Sequence, residues 1–518
     1  MARSTRPLFL LLPAALALAC VTARTATVPP RPPEPAAQAA AAEATPAAPA
    51  ATATPPAAAT PPPPRCGPAG MELVTRGQAA QREKGEDGAD EAIALYRQAL
   101  AGDAGCSEAL WELGWSLQVK GDPAAAVEAW DQLKKMDADY PGMAENYDAM
   151  VRRRDQAAML KALPDTGPLP PVETTPAEGP ALRLAAVGDV HMGRAWPPER
   201  AVLPPDDAMH LYDAVKPSLQ DADITFGNLE TVLADDGESQ KCGKRSTKCF
   251  AFRVPRSFAA ALKDAGFDVM SIANNHAGDF GPKGRTDTIA ALDKVGLKHS
   301  GPVGDIAYLE KDKLKIALIA FSTGADVYRV QELDTARKLV AFLSKSNDLV
   351  FVSFHGGAEG AGNDHVPKGR EKFYGEDRGD LRAFAHAVVD AGADLVLGHG
   401  PHLLRGMERY KGRLIAYSMG NFSSWETFGL QFPLNTTGVF HVTLAPNGVV
   451  TRIKVDPVVI EKPGTPVPDP DKKAIELLRK LSKEDFGDAL LREDGTWVLD
   501  VKTHAQAEPD DAAAPPRG

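Results

Sequence analysis

The sequence predicts an α/β fold over roughly its second half, preceded by a small all-α region. Three observations predict it. Continuous apolar runs alternate with helical stretches between residues 182 and 460. Polar clusters rich in His, Asn, Asp and Glu follow those runs. Ahead of them, small and aromatic residues recur at helical spacing and repeat 34 residues later, Ala92 with Ala126 and Tyr96 with Trp130. At 518 residues the chain exceeds the roughly 250–300 that one core accommodates, so several units are expected.

Residues 1–20 read as a leader. Arg3 and Arg6 form a positive start, and Leu8 to Leu18 is an apolar run of about 11 residues, too short to span a bilayer. Small residues then precede Cys20, the pattern of a bacterial lipoprotein signal in which Cys20 becomes the lipidated first residue. An ordinary secretory signal that happens to hold a cysteine is the alternative. The lipoprotein reading places the protein outside the cytoplasm, membrane-anchored, in the outer membrane or cell envelope. Residues 21–70, mostly Ala, Pro and Thr, lack the large apolar side chains a core needs and read as an extended linker.

Residues 71–162 read as tetratricopeptide-like helix-turn-helix repeats with a capping helix over about 142–162. A generic helical hairpin is the alternative. Such repeats bind proteins more often than they catalyse, so a protein partner is expected here. Residues 163–181 form a second, Pro-rich linker, and 461–518 a C-terminal extension of one helix and a disordered tail. Cys242 and Cys249 bracket a short loop that a disulfide could close, leaving Cys66 and Cys106 as a second candidate pair. An exported protein sits where such bonds persist.

Residues 182–460 carry the strands. Leu184–Val187, Ile224–Phe226, Val269–Ile272, Ile316–Ile319, Leu349–Val352 and Leu395–Leu397 are apolar without alternation, as suits strands buried on both faces. Helices are expected over about 206–221, 256–265, 283–295, 331–346 and 379–391. Three more strands follow without long helices, the last two joined at Pro446-Asn447-Gly448.

Ligands in open α/β sheets bind beyond the carboxyl ends of the strands. Those positions hold Gly188-Asp189-Val190-His191, Gly227-Asn228-Leu229-Glu230, Asn274-Asn275-His276, His355 and His399-Gly400-Pro401-His402. Of the 11 histidines, five lie in these loops, which calls for a common cause; metal binding is the simplest. Taken singly, each residue has a structural alternative, such as a helix cap at Asp189 or a turn at Asn274 and Asn275. The formal net charge of −11 and the lack of a basic stripe exclude a nucleic-acid footprint.

These motifs, with Asn274 to Gly281 and Ser418 to Phe422, resemble the CapA family of poly-γ-glutamate capsule synthesis, within the calcineurin-like metallophosphoesterase superfamily. The resemblance covers about 182–460 and implies an αββα sandwich holding one or two divalent ions, Mn, Fe or Zn. By that resemblance Asp189 and His191 bind one ion, Asn275 and His355 the other, and His399 and His402 complete the two sites. His276 and Asp189 are the expected catalytic residues, with His276 assisting the leaving oxygen. Asn228, Asn274 and Asn421 are expected substrate contacts. The superfamily places an Asp where Asn228 stands. An amide bridges two cations poorly, and Glu230, two residues on, has the charge and the reach to substitute.

The resemblance implies a hydrolase or transferase acting on an anionic envelope polymer or a phosphoester. A non-catalytic, polymer-binding accessory protein of an export assembly is the rival, and a general phosphodiesterase a third reading.

Overall fold

The computed structural model describes residues 66–499 apart from 165–166, 240, 242–249, 325 and 428. The leader with Cys20, the linker up to residue 65, the Cys242–Cys249 pair and the tail beyond residue 499 lie outside the described residues. Among those described, no helix is long and apolar enough to cross a membrane.

Five helices come first: α1 (Pro68–Lys84), α2 (Ala89–Gly102), α3 (Ser107–Val119), α4 (Pro123–Met136) and α5 (Met143–Ala162). They pack in chain order, α1 on α2, α2 on α3, α3 on α4 and α4 on α5. Two glycines explain the close pairing. A Cβ at Gly77 would overlap the Tyr96 ring, and one at Gly114 would overlap Trp130. Small residues on one helix thus admit a large aromatic from the next. Trp130 is fully buried, stacks on Trp111 at 4.7 Å and donates its indole N–H to the Trp111 carbonyl at 3.1 Å. A disulfide joins Cys66 to Cys106 and ties the start of α1 to the start of α3. On its other side α5 meets the α/β part, where Met159, Leu160 and Leu163 pack on its helical layer.

The α/β part contains two large sheets. The first includes β1 (Leu182–His191), β2 (Ile224–Leu229), β3 (Val269–Ser271) and β4 (Lys298–Ser300). The second includes β5 (Ala307–Lys311), β6 (Leu314–Ser322), β7 (Tyr328–Arg329), β8 (Leu349–His355), β9 (Leu395–His399), β10 (Met407–Tyr410) and β11 (Arg413–Ala416). The chain then returns to the first sheet with β12 (Asn421–Ser424), β13 (Thr436–Leu444), β14 (Val450–Glu461), β15 (Thr465–Pro468) and β16 (Thr496–Val498). The orders are β15-β14-β13-β1-β2-β3-β4, with β12 on β1 and β16 on β14, and β10-β11-β9-β8-β6-β5, with β7 on β6.

Alternate side chains of each strand enter different layers. Leu184, Phe226 and Val269 of one sheet share a core with Leu318, Phe351 and Leu397 of the other. Ala185, Val187 and Met270 face outward onto helices on one side, and Ile319, Val350 and Val352 onto helices on the other. The result is an αββα sandwich, four layers whose inner strands are buried on both faces, as their unbroken apolar runs require.

One expected helix is absent. Over 206–221 the structure has turns, one 3-10 turn at Asp206–Ala208 and a single short α-helix, Lys216–Leu219. Asp206, Asp207 and Ala208 take left-handed backbone at φ of 52°, 52° and 64°, which interrupts a right-handed helix at its start.

Candidate metal centre

All the strand ends singled out in the sequence converge. β1 and β2 run parallel with Asp189 opposite Asn228, and β8 and β9 run parallel with His355 opposite His399. Each sheet thus delivers a pair of polar residues at one height. Asp189, His191, Asn228, Glu230, His355, His399 and Asn421 are fully buried; His276 and His402 are 6% exposed.

Glu230 is at the middle. Its carboxylate lies 3.0 Å from His355 Nε2, 3.2 Å from His191 Nε2, 3.8 Å from His402 Nδ1 and 4.0 Å from His276 Nε2. Two groups have the spacing to hold a cation, His191-Glu230-His402 and Asp189-Glu230-His355. They share Glu230. The resemblance paired Asp189 with His191 and His355 with Asn275; in the structure Asp189 and His191 both lie beside His402, at 3.1 Å for the Asp189 carboxylate and 5.9 Å between the His191 and His402 rings.

The second partners of these residues are also resolved. Asp189 accepts from Asn228 Nδ2 at 2.9 Å and meets His399 Nδ1 and His402 Nδ1, each at 3.1 Å. Asn274 Nδ2 donates to Asn228 Oδ1 at 3.2 Å and to the Leu229 carbonyl at 2.9 Å, and its Oδ1 accepts from the His276 N–H. Asn421 meets His402 Nδ1 and donates to the His402 and Leu434 carbonyls. It braces a turn in which His402 holds a left-handed φ of 61°. The amides of Asn228, Asn274 and Asn421 are therefore taken up inside the site.

Electrostatics follow from burial among opposite charges. Burial disfavours charge on His191 and holds it below the ordinary histidine value. Burial acts the same way on His402, but Glu230 and Asp189 outweigh it and push His402 up to about 10. Burial and mutual repulsion oppose ionisation of Asp189 and Glu230, yet the histidines hold Asp189 low and Glu230 well below the usual carboxylate range.

The donor set fits a divalent cation. His355 Nδ1, His399 Nε2 and Asn275 Oδ1 are buried with no hydrogen-bond partner among the described residues. Buried polar atoms are rarely left so. Imidazole nitrogens and carboxylates grouped about Glu230 have the chemistry to hold a divalent cation.

Two acids beside the site, Asp279 and Glu359, had been given no role. Asp279 accepts from His276 Nδ1 at 2.7 Å, from the Phe252 N–H at 2.8 Å and from Lys241 Nζ at 2.7 Å, and so orients the His276 ring. Its spacing, three residues after His276, was the available signal. Glu359 accepts from Asn275 Nδ2 at 3.2 Å and from the buried Arg378 at 2.8 Å, and comes within 3.9 Å of His402 Nε2. Nothing local in the sequence joins Glu359 to Asn275, 84 residues away.

Comparison with known proteins adds the family. Residues 183–425 match the model for bacterial capsule synthesis protein PGA_cap. A capsule biosynthesis protein CapA of Bacillus anthracis is 32% identical over 266 residues, 47% of this chain and 60% of that protein. A PGA biosynthesis protein CapA of Bacillus subtilis is 29% identical over 341 residues, 62% of this chain and 82% of that one. The chain thus spans less than two thirds of the first relative. A purple acid phosphatase from yellow lupin seeds overlaps 57% of this chain and 56% of its own at 10% identity and a TM-score of 0.29, too low to inform the site. Over residues 183–425 the α/β domain matches the CapA family of bacterial capsule synthesis proteins.

Proposed function

We propose that this chain is an envelope protein of anionic-polymer synthesis, of the poly-γ-glutamate capsule type, that holds one or two divalent ions around Glu230 and acts as a hydrolase or transferase. The observation that carries the proposal is Glu230 itself, a buried carboxylate shared by two cation-sized groups. A bound ion would supply Lewis acidity and water activation at neutral pH. Asp189, Glu230 and the histidines would hold it, and His276, oriented by Asp279, is placed to move a proton. A lipid anchor at Cys20 and a protein partner on the helical repeats belong to the same proposal.

The rival reading is an accessory protein that binds polymer without turnover. The Asn at 228 favours it, because the carboxylate usual at that position is missing. A Mycobacterium tuberculosis relative, 30% identical over 226 residues, is named a probable polyglutamine synthesis accessory protein.

Metal analysis of the purified full chain, with hydrolysis of a chromogenic phosphodiester under added manganese, separates the readings. One to two ions per chain with turnover supports the enzyme. Bound ions without turnover leave the accessory role, and fewer than one ion per chain defeats the metal reading.

A further inference from the structure

A second cluster of charge lies on the same rim of the sandwich. Arg152 and Arg153 from α5, Arg285 from the helix Gly281–Lys294, and Arg329 from β7 meet around Asp326 and Glu332. Arg152 Nε donates to Asp326 Oδ1 at 2.8 Å and Arg285 Nη1 to Asp326 Oδ2 at 2.9 Å. Arg329 comes only within 3.8 Å of Glu332. Four cations thus face two carboxylates. Burial and the nearby Arg329 lower the Arg153 value, as crowding of like charge requires.

Two details leave room for a further partner in this cluster. The Nε atoms of Arg285 and Arg329 are buried and find no hydrogen-bond partner among the described residues. The side chains of Arg152, Arg285 and Arg329 are nonetheless 30%, 13% and 29% exposed, so an incoming anion can reach them.

The cluster is also close to the metal centre. In the second sheet Phe321 pairs with Phe354, the residue before His355, and Ser322 pairs with Arg329. Two strand spacings put the Arg329 backbone about 10 Å from the end of β8. The Arg285 guanidinium lies against Gly278, two residues past His276, with Nη2 3.4 Å from where a Cβ there would stand.

We propose that Arg152, Arg153, Arg285 and Arg329 form an anion subsite beside the metal centre, which holds carboxylate or phosphate groups of a chain-like polyanion while another unit of the same chain occupies the centre. The proposal rests on the anionic-polymer reading above and gives the helical region a direct part in substrate binding, since α5 supplies two of the four arginines. Guanidinium groups suit this task because their fixed, planar donors match carboxylate and phosphate oxygens.

The test is fluorescence anisotropy of the full chain with a labelled γ-linked glutamate decamer, and in a second arm with a polyphosphate of equal charge. Each is run with manganese and after chelation. Arg153→Gln with Arg329→Gln leaves the Asp326 pairs intact and is expected to weaken binding about tenfold at low salt, with the gap narrowing as salt rises. Lysine at both positions restores part of the loss. The arm that binds tighter names the anion. Unchanged affinity in the double variant, or no binding of either polymer by the wild type, overturns the subsite. If the protein binds polymer through these arginines but holds no metal, the subsite stands and the metal reading falls.

Discussion

Replacing Glu230 with glutamine is expected to empty the metal centre. Glutamine keeps the size and removes the charge at the one point both cation-sized groups share. Affinity for the first ion should fall by at least about 100-fold, since even residues outside the ligand set cost about 10–100-fold when altered. The thermal shift that manganese gives the wild type, which grows with ligand concentration over its dissociation constant, should vanish in the variant. The metal-free variant should also be less stable, by about 3 kcal/mol, because the charged His402 loses a buried counter-charge 3.8 Å away. Calorimetric titration with manganese and denaturant unfolding of the metal-free proteins check both parts. Wild-type affinity in Glu230→Gln would show that Glu230 is only a structural acid.

The second large effect is expected at a glycine. A Cβ at Gly188 would overlap the Gly420 carbonyl oxygen and stand 2.8 Å from the Met419 carbonyl oxygen. Both obstacles are backbone and cannot rotate away. The Asp189 N–H donates to that same Gly420 carbonyl at 2.8 Å, so the close approach of the two segments is what sets Asp189 beside Asn421 and His402. Gly188→Ala should therefore cost about 3 kcal/mol or more and lower metal occupancy with it. Gly429→Ala, with nothing within 4 Å of its new methyl, is the control and should stay within about 0.5 kcal/mol. Urea unfolding of the three proteins, followed by metal analysis, separates them. A Gly188→Ala protein as stable as the control would show that the glycine is incidental to the strand contact.

Much of this was legible in the sequence because it is written locally. Strands buried on both faces must be apolar throughout, so Leu349–Val352 and Leu395–Leu397 announce themselves without any partner in view. Histidines that end such runs announce the site in the same way. The glycines ahead of Asp189 and His399 belong to the same local record, since at Gly188 and Gly398 neighbouring backbone occupies the place of a side chain.

What was not legible depends on how two sheets face each other. Glu230 comes from the first sheet and His355 from the second, 125 residues on, and only their packing makes one carboxylate serve both. The arginines that gather on the rim come from α5, a following helix and a two-residue strand, which no local motif joins.

The central claim is that Glu230 joins two ligand groups into one metal centre. Anomalous diffraction from crystals of the full chain grown with manganese tests it most directly. The account predicts one or two peaks, at least one of them within about 2.0–2.6 Å of a Glu230 oxygen, with His191 and His402 or Asp189 and His355 completing its shell. Manganese-saturated crystals with no peak there, or with a peak whose ligands leave out Glu230, would contradict it.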